Sequence, residues 1–175
     1  MIEQVLTIGA YGFNELTFIE ALKSAGADLF VDIRARRGMR GSAYAFANAS
    51  RLQVLLESAA IRYVHAKELA PTEQVRDAQR AADTAAGVAK RDRTRLGSAF
   101  VSAYERDCLA TFQPDEFFRK YVGDAKRPVL FCVEREAEAC HRSIVAPRLA
   151  AAMAVPVLNL KPGPIQSPAL LPRNT

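Results

Sequence analysis

The chain has 175 residues, half of them apolar and a quarter charged, the balance of a globular protein that buries one substantial core. No run approaches the ~20 apolar residues that span a bilayer, and the opening MIEQVLTIGAYG lacks the basic, apolar and cleavage regions of a secretion signal. Three cysteines do not make a disulfide framework, so a reducing cytoplasm is the expected compartment, and the net charge of +5 admits anionic partners without requiring them.

In chain order, VLTIG (5–9) reads as a short strand closed by Gly9. NELTFIEALKSAG follows as a helix entered near Asn14 and stopped at Gly26, with Phe18, Ile19 and Leu22 as its apolar stripe and capping-box spacing between Thr17 and Glu20. ADLFVDIR (27–34) has the continuous apolar core of a strand buried on both faces. A Gly- and Arg-rich loop occupies 35–47, after which Leu52, Leu55, Leu56 and Ala59 recur at helical spacing. IRYVHA (61–66) is a third strand. Residues 72–95 are Ala-rich and charged with few large apolar side chains, which reads as a partly helical insertion or lid.

Phe100 and Tyr104 start another amphipathic helix, and Pro114 opens a short one carrying Phe117, Phe118 and Tyr121. PVLFCV (128–133) is the fourth strand, followed by a helix ending near Met153 and a last strand, VPVLNL (155–160). Pro156 cannot donate to a ladder, which places that strand at a sheet edge or starts it there. The expectation is a single α/β domain over 1–162 with a proline-rich tail at 163–175. Alternating strands and helices make a three-layer αβα sandwich around a mainly parallel sheet of about five strands. Ligands of such sheets sit outside the carboxyl ends of the strands.

Three loops leave those ends carrying chemistry: GAYGFN, RARRGMRGS and EREAEACHRS. Between Asp32 and Glu57 there is no carboxylate but there are five arginines: Arg34, Arg36, Arg37, Arg40 and Arg51. In FCVEREAEACHRS (131–143), Cys132 reads as a small buried hydrophobe ending a strand. Cys140 differs, because a helix N-terminus, His141 and Arg142 all favour its thiolate. Pro147 is disfavoured in a helix interior, so the helix should begin near Ser143, with Ser143 as its N-cap. On this reading Cys140, His141, Asp32 and Glu134 are the candidate catalytic groups. Arg34, Arg37, Arg40, Arg142, Ser143 and Tyr11 are the candidate anion or substrate contacts.

Cys132, Cys140, His141 and His65 also offer four ligands for a tetrahedral metal. Adjacent Cys-His pairs rarely reach one ion and no C-x2-C spacing occurs, so the expectation is no metal and no cofactor.

These motifs resemble the domain-of-unknown-function 488 family. The likeness rests on TIG near the start, VDIR with its Arg/Gly-rich sequel, YVH followed by ELA, and Cys132-Val133-Glu134 before Cys140-His141-Arg142-Ser143. It runs over roughly 5–160 and implies a fold and a site but no reaction. The chain departs from the family at Tyr11 and Gly12, where serine is typical, and at Arg36 and Arg37, where proline is frequent. A looser analogy links the expected fold to rhodanese-like and cysteine-phosphatase domains. The phosphatase loop needs an arginine six residues after its cysteine; here that position is Glu138. Two functions follow as expectations. One is an enzyme acting on a phosphate-bearing substrate, a nucleotide or nucleic acid, at the carboxyl rim. The other is a non-catalytic module binding nucleic acid or protein through the basic loop 34–40. No membrane partner is expected.

Overall fold

The apolar runs of the sequence pair as one all-parallel sheet in the computed structural model, which describes residues 1–163. Its strands are β1 (Val5–Gly9), β2 (Leu29–Asp32), β3 (Arg62–His65), β4 (Pro128–Cys132) and β5 (Val157–Leu160), in the order β3-β2-β4-β1-β5. The three inner strands are fully buried, which is why they read as unbroken apolar runs. β5, which starts directly after Pro156, lies at an edge as that residue requires. Among the described residues no helix is long and apolar enough to cross a membrane. Of the expected proline-rich tail, 164–175 lie outside the described residues.

Strand alternation splits the core in two. Phe30, Val129 and Phe131 face α1 (Glu15–Ser24) and α2 (Ala49–Ser58), where Phe18, Leu22, Leu52 and Leu56 are buried. Phe18 packs edge-on against both Phe30 and Phe131, an arrangement in which each ring contributes about 2–3 kcal/mol of burial. Leu29, Val31, Leu130 and Cys132 face the opposite layer. That layer holds α3 (Glu73–Ala86), α4 (Ser98–Asp107), α5 (Pro114–Phe117) and α6 (Arg142–Met153). The result is the three-layer α/β sandwich expected from the alternation of elements.

Two local expectations are corrected. The capping box of α1 joins Asn14 to Thr17 rather than Thr17 to Glu20: the Asn14 side chain accepts from Thr17 N, and Thr17 Oγ1 accepts from Asn14 N. The helix is still entered at Asn14, as expected from the sequence. Nor does Ser143 cap α6. His141 occupies the cap position without a side-chain bond, and the Ser143 hydroxyl donates back to the Cys140 carbonyl at 2.8 Å. Pro147 lies inside the helix on its exposed side, where the carbonyl it leaves without an N–H partner is that of the half-exposed Ser143.

The strand order fixes where a ligand can sit. From β1 the chain turns toward β2 through α1, whereas from β4 it turns toward β5 through α6 on the other face. The crevice between diverging crossovers therefore opens at the carboxyl ends of β1 and β4, where Gly9 pairs with Cys132.

Candidate active site at the carboxyl ends of β1 and β4

A cleft of about 570 Å³ opens at this crevice. Its floor is built from Cys132 at the end of β4, Glu134 in the following loop, and Cys140 and His141 directly before α6. Tyr11 lines one side with the loop after β2, which supplies Arg36 and Arg40. The opposite wall is α3 with its C-terminal continuation, supplying Arg76, Arg80, Lys90 and Arg93. With Arg34, seven basic side chains line the cleft against three carboxylates, Glu73, Asp83 and Glu134. Enclosure by low-dielectric walls concentrates that positive potential.

The loop can reach the floor because Gly9 has no side chain. A Cβ there would collide with the carbonyl of Glu134, so the β4–α6 loop lies directly on the end of β1. Cys140 is extended (φ −139, ψ 146), and His141 turns into the helical region (φ −58, ψ −18). This change of direction between neighbours lets both side chains meet Cys132. The ligating atoms of the three residues all lie within 4.8 Å of one another, and all three residues are buried. The Cys140 Sγ–His141 Nδ1 distance is 3.6 Å. On the other side of the ring, Nε2 lies 3.1 Å from the Ile33 carbonyl, and Tyr104 packs edge-on with ring centroids 5.5 Å apart.

Electrostatics divide the two thiols. Burial would raise the Cys140 thiol, but a hydrogen bond from Cys132 and the charges of His141 and Arg142 outweigh it and hold Cys140 well below the ordinary thiol range. Donating to that thiolate, together with burial, pushes Cys132 well above it. Burial acts to lower the His141 imidazole, yet the adjacent Cys140 raises it on balance. The Glu134 carboxyl is raised by burial and by Cys140, against the pull of Lys90 and His141.

The other residues picked out in the sequence are distributed more widely. Asp32 and Arg34 lie on the α1–α2 side of the sheet, paired with each other at 2.7 Å. Asp32 also accepts from Tyr63 Oη, and Arg34 donates to the Ala47 carbonyl and stacks 4.5 Å from the Phe131 ring centre. His65 ends β3 with Nε2 2.8 Å from the Arg34 carbonyl, so it does not join the cysteines. Arg37 turns to the Tyr63 hydroxyl, away from the cleft lining. Arg142 is 1% exposed and donates to the Arg135 carbonyl beneath the loop; neither it nor Ser143 lines the cleft. Arg40 and Tyr11 do.

Arg93 was not singled out by the sequence. It donates to Asp83, Glu134 and the Ala139 carbonyl, and so ties the α3 wall to the floor loop. The only sequence signal for it is its place at the end of a charged stretch. Among the described residues, three buried side-chain atoms find no hydrogen-bond partner, and all belong to the loop and its helix: Glu134 Oε2, Arg142 Nε and Arg142 Nη1.

A family model described as "Domain of unknown function DUF488" matches residues 16–149. The chain is a DUF488 protein. The match covers β2 through most of α6, and therefore every floor residue of the cleft and both of its walls except Tyr11. No curated protein and no solved structure matches the chain. What the DUF488 floor does must therefore be argued from its own chemistry.

Proposed function

We propose that this DUF488 protein is an enzyme acting on a phosphate-bearing substrate, a nucleotide or a nucleic-acid end, with its chemistry at the Cys140–His141 floor. The observation that carries this reading is the stacking of a basic cleft directly above that buried pair. The cleft volume of about 570 Å³ suits a small ligand. Arg36, Arg40, Arg76 and Arg80 are the anion contacts, since none of them is paired with a carboxylate that lines the cleft. Asp32 and Arg34 serve as scaffold, because their polar atoms are already engaged with each other. Glu134, with one oxygen unpartnered, is the group placed to accept or return a proton at the floor.

The test is a panel of phosphomonoesters, nucleotides and short oligonucleotides assayed with the wild type and with Cys140→Ala and His141→Ala. Each variant should lose all activity while keeping the wild-type circular dichroism. Arg36→Ala together with Arg40→Ala should raise KM more than it lowers kcat. Full activity in both floor variants would remove the assignment. Salt-sensitive binding with no turnover anywhere in the panel would favour a non-catalytic module built on the exposed Arg36 and Arg40.

A further inference from the structure

We propose that Cys132, Cys140 and His141 form a three-ligand site for a tetrahedral divalent metal of the zinc class, with its fourth position facing the basic cleft. This rests on the reading above for the use of the floor and adds what the floor holds. The sequence argued against such a site, because neighbouring Cys and His side chains rarely converge. Here they do, through the extended-to-helical turn between Cys140 and His141.

The geometry can be checked against the ion. With Zn–S of about 2.3 Å and Zn–N of about 2.0–2.1 Å at tetrahedral angles, a thiolate sulfur and an imidazole nitrogen on one ion lie about 3.6 Å apart. The Cys140 Sγ–His141 Nδ1 separation is 3.6 Å, and Cys132 Sγ falls within the same 4.8 Å cluster. The imidazole is also held as a ligand's ring is held: Nε2 is engaged by the Ile33 carbonyl, which leaves the lone pair on Nδ1, the atom facing the sulfur. Two thiolates neutralise a divalent ion, so the loaded centre carries no net charge into a buried position. Two soft sulfurs and one imidazole favour zinc over the oxygen-seeking cations. All three ligating residues line the cleft, and no fourth cysteine, histidine or carboxylate among the described residues belongs to the cluster. Three protein ligands with a position left open is the arrangement of catalytic rather than structural zinc, and an open position under an arginine-lined cleft suits a phosphate oxygen or a water.

The experiment loads the full chain, stripped with chelator and kept reduced, with Co²⁺ and then Zn²⁺. One Co²⁺ per chain is expected, with the thiolate-to-cobalt charge-transfer band in the near ultraviolet and the strong visible bands of a tetrahedral ion. Zn²⁺ should bleach both and raise the Tm of the wild type. Cys132→Ser should weaken binding at least tenfold and reduce the charge-transfer intensity, whereas Cys108→Ser should change neither. Absence of stoichiometric Co²⁺ uptake by the reduced wild type, or uptake indifferent to Cys132→Ser, would overturn the proposal. Because the wild-type spectrum decides first, a variant that fails to fold does not rescue it. No substrate is needed, so the site can fail while the enzyme reading survives, and a loaded but inactive protein separates the two in the other direction.

Discussion

Replacing Asp32 with alanine should destabilise the protein severely without touching the cleft floor. The Asp32 carboxylate is fully buried and accepts four hydrogen bonds, from Arg34 N, Nε and Nη2 and from Tyr63 Oη. With it gone, the Arg34 guanidinium, 3% exposed, keeps only the Ala47 carbonyl and the face of Phe131. Removing one partner of a buried ion pair in this way costs about 3–5 kcal/mol. Against a total of about 5–15 kcal/mol, that is about a fifth of the stability or more. At about 2–4 °C per kcal/mol for a chain of this size, the Tm should fall by roughly 6–20 °C. Urea unfolding followed by circular dichroism measures the loss directly. The double variant Asp32→Ala/Arg34→Met should be less destabilised than the sum of the two single variants, by about 1 kcal/mol or more, since the second change removes the stranded charge. A loss below about 1 kcal/mol for Asp32→Ala, or strict additivity in the cycle, would refute the claim that this pair is a buried scaffold.

Two further outcomes follow from the packing. Gly9→Ala drives a methyl group into the Glu134 carbonyl and should cost about 1–3 kcal/mol, measured by denaturant unfolding, with weaker Co²⁺ binding because the floor loop must lift. Glu68 accepts from Lys120 and Tyr121; burial acts to raise its carboxyl, but these bonds hold it below the usual range. A depressed folded pKa adds stability above the unfolded value of about 4.3, and that stability is lost as the pH falls through the folded pKa. Glu68→Gln should therefore lower the Tm more at pH 7 than at pH 3, and an equal deficit at both would contradict the assignment.

The fold was legible because the chain's strongest signals are local. All five strands lie within the apolar runs read from the sequence, and Pro156 placed the last of them at an edge. Strand order was not legible, since parallel strands joined through helices carry no turn chemistry that names a neighbour. The same limit hid the floor. Cys132 and Cys140 are separated by a loop whose path depends on Gly9, a residue far away in the chain, so nothing within the motif announces that the two sulfurs meet. Arg142 looked like an anion contact by its company but is buried under the loop. The segment 72–95 read as an insertion or lid because it has so few large apolar residues. In the fold it lines the cleft, anchored by Val75 and by the buried Gln79, whose amide bonds Asp83 and the backbone of Gly97.

The division between floor and wall has a consequence for how such a protein can diversify. Every floor residue comes from the end of β4 and the loop that leads into α6, and the backbone just after β2 braces it through the Ile33 carbonyl. Most of the remaining lining comes from one contiguous stretch, from Pro71 to Phe100, that contributes no strand to the sheet. Drift along that stretch can redraw the charge and shape of the cleft while the Cys-His floor stays where the sheet holds it. Relatives with the same Cys-His floor and a different wall would then share a chemistry and differ in what they admit to it.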